Sequence, residues 1–383
     1  MPALPPDATR FTTAVNRLRV RWLAAAVVSA LALLLAYRPA QTWWPAPYPL
    51  RWLALTALSL AYFLYILWAN LSHNRRTPES DLLPALGWGN ALTLLRALLM
   101  SGVVGLLIAP RPAGIHAWLP GLLYLAASLP DYIDGAIARL TQHATRLGEI
   151  LDLTVDSVGV FTATFLAFQY GVIPWWYLPI GLARYWFVAG IWWRERRGKP
   201  VYDMPFSHRR RAFAALKMGF MFVMLFPLFG PPGTHLAAAA FGLPFAAAFL
   251  WDWWLVAGVV KPETGIPFAP LKGLALQWGP VPLRGFAALL VIPQITAHLT
   301  HPDLHWLALA EIGATAFLAL GLLPRVTAIA AILLLGINQN LAPLTLAQSA
   351  LAFVYIWQIF LGGGRGSLWP VEDWLVLNRI GER

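Results

Sequence analysis

A series of apolar runs, most of them near the length a helix needs to cross a bilayer, dominates this 383-residue sequence. They lie at about 20–38, 50–71, 88–109, 116–139, 147–170, 174–193, 211–230, 235–260, 284–299, 304–323, 325–339 and 344–361. A crossing helix takes about 20 apolar residues. Lipid offers no partner to open backbone groups, so such runs fold as helices. Charged residues make up 12% of the chain, about half of what a soluble domain carries. With a mean hydropathy of +0.61, this excludes an ordinary cytosolic enzyme and a disordered or nucleic-acid-binding tail protein. The absence of cysteine removes disulfides, thiolate metal sites and cysteine nucleophiles together. The expected fold is an all-α polytopic membrane protein with about 12 transmembrane helices.

Basic residues orient the runs. With the N-terminus in the cytoplasm, 23 of the 28 Lys and Arg residues fall on inside segments. Arg38, Arg51 and Arg111 fall outside, and Arg96 and Arg184 lie within spans. The positive-inside rule then puts both termini in the cytoplasm of a bacterial-type inner membrane, and the net charge of +11 faces anionic lipid rather than nucleic acid. Several runs end at helix breakers, such as Pro110 and Pro112, Gly171 and Pro174, and Gly230-Pro231-Pro232. The first run is long and lacks a small-residue cleavage site before Arg38-Pro39, so it reads as a retained span.

Four of the 17 acidic residues sit within 26 positions of each other: Asp131, Asp134, Asp152 and Asp156. The first two are spaced i,i+3 near the cytoplasmic end of the fourth run. The second two are spaced i,i+4 near the start of the fifth, so each pair shares a helix face. A short connection makes the helices antiparallel neighbours and lets four carboxylates converge. Converged anions call for cations, and an all-oxygen donor set suits Mg²⁺ or Mn²⁺. Gly135, Ala138 and Gly148 share the cluster, where small side chains let a ligand approach the backbone. Arg139 stands one turn beyond Gly135 as a fixed cation for a phosphate. Together these residues describe a diphosphate-bearing substrate at the cytoplasmic membrane surface.

The stretch Asp131-Tyr132-Ile133-Asp134-Gly135-Ala136-Ile137-Ala138-Arg139, eight residues, Gly148, three residues, Asp152, three residues, Asp156 resembles the signature of the CDP-alcohol phosphatidyltransferases, D-x2-D-G-x2-A-R-x8-G-x3-D-x3-D. All eight defined positions match with their spacings kept. The segment Asn90–Arg96 is similar to the one that opens the family's first helix, and the resemblance covers about 85–260. It implies transfer of a phosphatidyl group from a CDP-alcohol, such as CDP-diacylglycerol, to a small polar alcohol with release of CMP, in phospholipid biosynthesis. It implies two metal ions, Mg²⁺ or Mn²⁺, on Asp131, Asp134, Asp152 and Asp156, with Asp156 also the general base. Gly135, Ala138 and Gly148 would then accommodate the cytidine nucleotide and Arg139 its phosphates, and a homodimer is a further expectation.

The acceptor is less defined. Arg184, Arg211 and Lys217 are the candidates for a phosphorylated acceptor such as glycerol 3-phosphate, although the basic loop around 194–211 also suits an anchor on anionic lipid. The Gly-Lys-x-Lys-Thr-like element common in the family is replaced here by Arg209-Arg210-Arg211-Ala212-Phe213-Ala214-Ala215-Leu216-Lys217. His116 and His298 are isolated near run ends and suggest no metal centre. The chain divides into a two-span segment at 1–84, a six-helix phosphotransferase domain at 85–262 and a four-span module at 280–370. In that module, Glu311-Ile312-Gly313, Gly321-Leu322-Leu323-Pro324-Arg325 and Leu361-Gly362-Gly363-Gly364-Arg365-Gly366-Ser367-Leu368 resemble the DoxX-like membrane family. Glu311 reads equally as a functional group or as a protonated, hydrogen-bonded packing element. Two other functions compete: a secondary transporter, whose site would lie near the midplane, and a catalytically inactive membrane scaffold.

Overall fold

A computed structural model describes residues 6–77, 80–130, 141, 143–204, 208–260, 276–341 and 344–373, with residues 6–10, 208–216 and 339–341 described by backbone alone. The described elements are helical. Six are long and apolar enough to cross a membrane: Phe11–Ala40, Tyr48–Ala69, Arg146–Gln169, Gly233–Val256, Leu276–Leu299 and Pro302–Leu320. Two shorter apolar helices follow, Pro324–Asn338 and Leu346–Leu361. The remaining runs of the sequence are helical in part. Run 174–193 is not one continuous helix: a 3₁₀ turn at Trp175–Tyr177 and a short helix at Leu178–Gly181 precede a helix starting at Ala183. Pro179 and Gly181 account for the interruption, since one lacks an amide donor and the other holds helix poorly. The chain folds as two compact units, Met1–Tyr170 with Met221–Phe226, and Gly171–Phe220 with Pro227–Arg383. Their boundary falls inside the 85–262 segment.

In the first unit, α1 (Pro6–Ala40) packs on α2 (Tyr48–Ala69), and α2 packs on α3 (Gly87–Gly105). Helix α3 also packs on α4 (Leu119–Ser128) and α5 (Arg146–Gln169), which makes it the centre of the unit. Small residues allow that role: a Cβ on Gly105 would overlap the Thr56 hydroxyl and lie 2.7 Å from the Trp52 ring. Trp52 Nε1 donates to Gly102 O at 3.0 Å, so one buried indole serves both the packing and a backbone acceptor. Leu18, Leu67, Leu71, Leu86, Leu147 and Leu151 form an aliphatic cluster below the start of α5.

The second unit contains α6 (Ala183–Arg196), α7 (His208–Leu225, to Phe220) and α8 (Gly233–Val256), followed by a bundle of four helices. These are α9 (Pro280–Leu299), α10 (His305–Leu320), α11 (Pro324–Leu341) and α12 (Leu346–Leu361). Ala287, Val291, Leu318, Ala331, Leu335 and Leu351 fill the bundle core. Gly321 ends α10 in the left-handed conformation (φ 66°), which frees the chain to turn into α11. The loop after α12 docks on that turn: Leu368 N donates to Leu320 O, and Leu323 N to Trp369 O. Arg325 Nε meets Asp373 Oδ1 at 2.7 Å, and Arg284 Nη2 donates to Ser367 Oγ at 2.5 Å. The Gly321–Arg325 and Leu361–Leu368 motifs thus meet at one end of the bundle.

Candidate active site

Helix α5 begins where Thr145, in extended conformation, accepts from Gly148 N at 3.3 Å through its side-chain oxygen. From this capped start the helix places Asp152 and Asp156 on consecutive turns of one face. Neither is sealed: their side chains keep 37% and 25% of their surface accessible. Between them reaches Arg96 of α3, whose side chain is only 2% exposed. Its Nη1 donates to Asp152 Oδ1 at 2.5 Å, its Nη2 to Asp156 Oδ1 at 2.6 Å, and its Nε to Ala127 O at 3.2 Å. A planar guanidinium suits this task, because two parallel donors span the rise of one helical turn while the third nitrogen anchors on α4. Burying a cation costs several kcal/mol unless charges and hydrogen bonds offset it. The two aspartates supply that compensation, and Arg96 in turn fixes their carboxylates.

A second layer positions the two helix starts. Asn90 is buried on α3, with Nδ2 donating to Leu86 O at 2.7 Å. Its Oδ1 lies where a side chain on Gly148 would begin, 2.6 Å from that Cβ position. The missing side chain of Gly148 is therefore filled by the Asn90 amide, and α3 and α5 approach closely at this point. Asn74 Nδ2 donates to Leu83 O and Ala85 O, holding the connection from α2 to α3. Gly87 adopts φ 80°, and the His143 ring lies against its Cα. His143 Nε2 contacts Ala85 O at 2.8 Å, which stitches the approach to α5 onto the same connection.

Asp131, Asp134, Gly135, Ala138 and Arg139 lie outside the described residues. Of the candidates for the acceptor, Arg211 is described by backbone alone on α7, and Arg184 is exposed on α6. Lys217 is buried on α7, with Nζ 3.1 Å from Ile180 O, 3.4 Å from Gly181 O and 4.2 Å from the centre of the Phe245 ring. Carbonyls freed where the chain breaks at Gly181 thus receive its ammonium. The sequence places Asn90 and Arg96 at the two ends of the segment that resembles the opening of the family's first helix, without giving either a place in the site. The available signal for Arg96 is a charge inside an apolar run, which needs a partner.

Among the described residues no group of three His, Asp or Glu gathers around one point. The donor chemistry nevertheless fits a hard divalent cation. Asp152 and Asp156 present partly accessible carboxylates from adjacent turns, and Arg96 bonds to one oxygen of each.

The family model for CDP-alcohol phosphatidyltransferase matches residues 87–260, from the first residue of α3 to just beyond α8. That segment belongs to the CDP-alcohol phosphatidyltransferase family. The phosphatidyltransferase domain also finds curated relatives. Proteins of Mycobacterium tuberculosis and Mycobacterium bovis named "Putative cardiolipin synthase" are 30% identical over 116 residues, covering 29% of this chain and 54% of theirs. A Cereibacter sphaeroides protein named CDP-diacylglycerol–glycerol-3-phosphate 3-phosphatidyltransferase is 36% identical over 106 residues, covering 27% of this chain and 47% of its own. The chain spans about half the length of the curated relatives it matches. No solved structure matches it. The family match stops at residue 260 and leaves the 280–370 module outside it.

Proposed function

We propose that the phosphatidyltransferase domain moves a phosphatidyl group from a CDP-alcohol, CDP-diacylglycerol, to a small polar alcohol and releases CMP. The Arg96–Asp152–Asp156 constellation carries this proposal, because it holds two carboxylates of the family signature on one accessible helix face. Asp152 and Asp156, with Asp131 and Asp134 of the same signature, would hold Mg²⁺ or Mn²⁺. Bound divalent ions supply positive charge that offsets the diphosphate and the departing CMP. Asp156 takes the proton of the acceptor hydroxyl at its carboxylate. The acceptor oxygen forms a bond to the phosphatidyl phosphorus as the bond from that phosphorus to the CMP oxygen breaks. Arg96 keeps both carboxylates turned to one side throughout. Gly135, Ala138, Arg139 and Gly148 would receive the nucleotide and its phosphates.

Glycerol 3-phosphate is the acceptor we favour, a choice supported by the name of the Cereibacter relative. The asymmetry of basic residues supports a site at the cytoplasmic face of a bacterial inner membrane. The test is CMP release by the purified chain in micelles with CDP-diacylglycerol and Mg²⁺ or Mn²⁺, across glycerol 3-phosphate, inositol 1-phosphate, inositol, serine and choline. Release with glycerol 3-phosphate is expected, lost on chelation and reduced at least about 100-fold in Asp156→Asn. Release with another acceptor would overturn the substrate, and metal-independent release would overturn the site. Formation of cardiolipin would align the chain with its mycobacterial relatives instead.

A further inference from the structure

The core of the α9–α12 bundle holds a second constellation, separate in sequence from the phosphatidyltransferase domain. Glu311 of α10 is 3% exposed, and three side chains from two other helices converge on it. Gln294 Nε2 lies 2.5 Å and Asn338 Nδ2 2.8 Å from Oε1, and His298 Nδ1 lies 3.0 Å from Oε2. Gln348 of α12 donates from Nε2 to Gln294 Oε1 at 3.0 Å, which fixes the direction in which the Gln294 amide points. All four helices of the bundle therefore meet in one polar network. In the sequence His298 stands isolated, because its partner lies across the α9–α10 connection.

The chemistry of the network narrows what it can bind. Oε1 of Glu311 faces two amide donors, and Oε2 faces His298 Nδ1, which donates to a carboxylate in one tautomer of the ring and accepts from a carboxylic acid in the other, so the two side chains share a proton site. A metal cation would meet the amide hydrogens instead of oxygen lone pairs. The adjoining cavity, lined by Glu311, Gln294, Tyr355 and aliphatic side chains, measures about 10 Å³ and has room for one water molecule. An organic ligand does not fit. The smallest ligand remains. An ionised carboxylate in such a core needs a compensating charge. The described titratable groups facing it are His298 from α9 and Tyr355 from α12, while α11 presents the neutral Asn338. Only the imidazole among these can become a cation.

We propose that His298 and Glu311 form a proton-binding centre in the C-terminal module. The proton adds at His298 Nε2 to give an imidazolium, while the Nδ1–H stays donated to Glu311 Oε2. Its release restores the neutral imidazole without breaking that hydrogen bond. Entry is from the imidazole side, since the His298 side chain keeps 10% of its surface accessible and that of Glu311 2%. Gln294 and Asn338 hold the carboxylate in place through both states.

The full-length chain, labelled with ¹⁵N-histidine in lipid nanodiscs, tests this by nitrogen NMR, with His298→Asn assigning the signal. On acidification the native His298 should gain a proton at Nε2 while Nδ1 remains protonated throughout. Glu311→Gln should abolish that uptake, one proton fewer per chain, with the exposed His301 and His305 signals unchanged. A His298 whose Nε2 never protonates in the native chain, or whose uptake is the same in Glu311→Gln, would overturn the proposal. Should Glu311→Gln fail to fold, Glu311→Asp, with the carboxylate withdrawn by one methylene, is expected to displace the Nδ1 resonance; an unchanged resonance counts against the pair. CMP release plays no part in this readout, so the result stands independently of the proposed transferase activity.

Discussion

Arg96 is a residue whose importance rests on three contacts made at once: two carboxylates of α5 and a carbonyl of α4. Removing it takes away the guanidinium that Asp152 and Asp156 share. Arg96→Met should therefore destabilise the first unit by about 1–3 kcal/mol, less than a fully buried pair would lose because the two aspartates stay partly accessible, read from the unfolding midpoint in detergent. Arg96→Lys separates structure from chemistry. It keeps the charge but has one nitrogen where the fork has three, so it holds one aspartate at a time. Stability should fall less than in Arg96→Met, while CMP release drops about 10–100-fold, the usual cost of losing an orienting partner behind a metal-binding group. Gly148 gives a second test at this scale. Its Cα is packed against the Asn90 amide, so Gly148→Ala should cost about 1–3 kcal/mol. Asn90→Ala opens that space, and the double variant should be more stable than the sum of the single losses.

At the scale of elements, what is legible in the sequence is what is local in the chain. The i,i+4 spacing of Asp152 and Asp156 is enough to put both on one helix face, and the apolar runs locate most of the helices. The partner of those aspartates is not legible, because Arg96 lies 56 and 60 positions away and no spacing rule connects different helices. Glu311 stands out as a carboxylate in an apolar run, but its partners Gln294, His298 and Asn338 come from neighbouring helices and leave no local pattern. Hydropathy likewise merges 174–193 into one run, since a windowed average does not register the break at Gly181. Turns and caps decide such details, and two of them can be tested directly. Thr145→Ala removes the oxygen that receives Gly148 N and should cost about 1 kcal/mol of stability. Gly321→Ala faces a left-handed backbone worth about 1–2 kcal/mol against any L side chain. It also meets Ser367 Cα 2.6 Å from the new Cβ, so its loss should be the larger of the two. Chemical denaturation of the detergent-solubilised chain compares them.

For the whole molecule, the distribution of charge makes the most far-reaching claim, because it orients every helix at once. Inserting a helix with its basic loop on the wrong side opposes the rule that retains Lys and Arg in the cytoplasm. A single miscounted span would invert the bias for the rest of the chain, and the 23 positions expected inside run from Arg10 to Arg383. The sequence contains no cysteine, so single reporters can be introduced into the native chain without a background. Thr77, Glu195 and Arg365 are exposed positions on segments assigned to the cytoplasm, and Thr42, Ala113 and His301 are exposed on segments assigned to the other face. In intact cells a membrane-impermeant maleimide should label cysteines at 42, 113 and 301 and spare those at 77, 195 and 365 until the membrane is opened. The connection carrying Thr77 leads into α3, and its Arg75 O accepts from Arg146 N at the start of α5, so this position reports on the face at which Asp152 and Asp156 are proposed to meet a CDP-alcohol. Labelling of Thr77→Cys from outside would put that face away from the cytoplasm and remove the supply of nucleotide on which the proposed reaction depends.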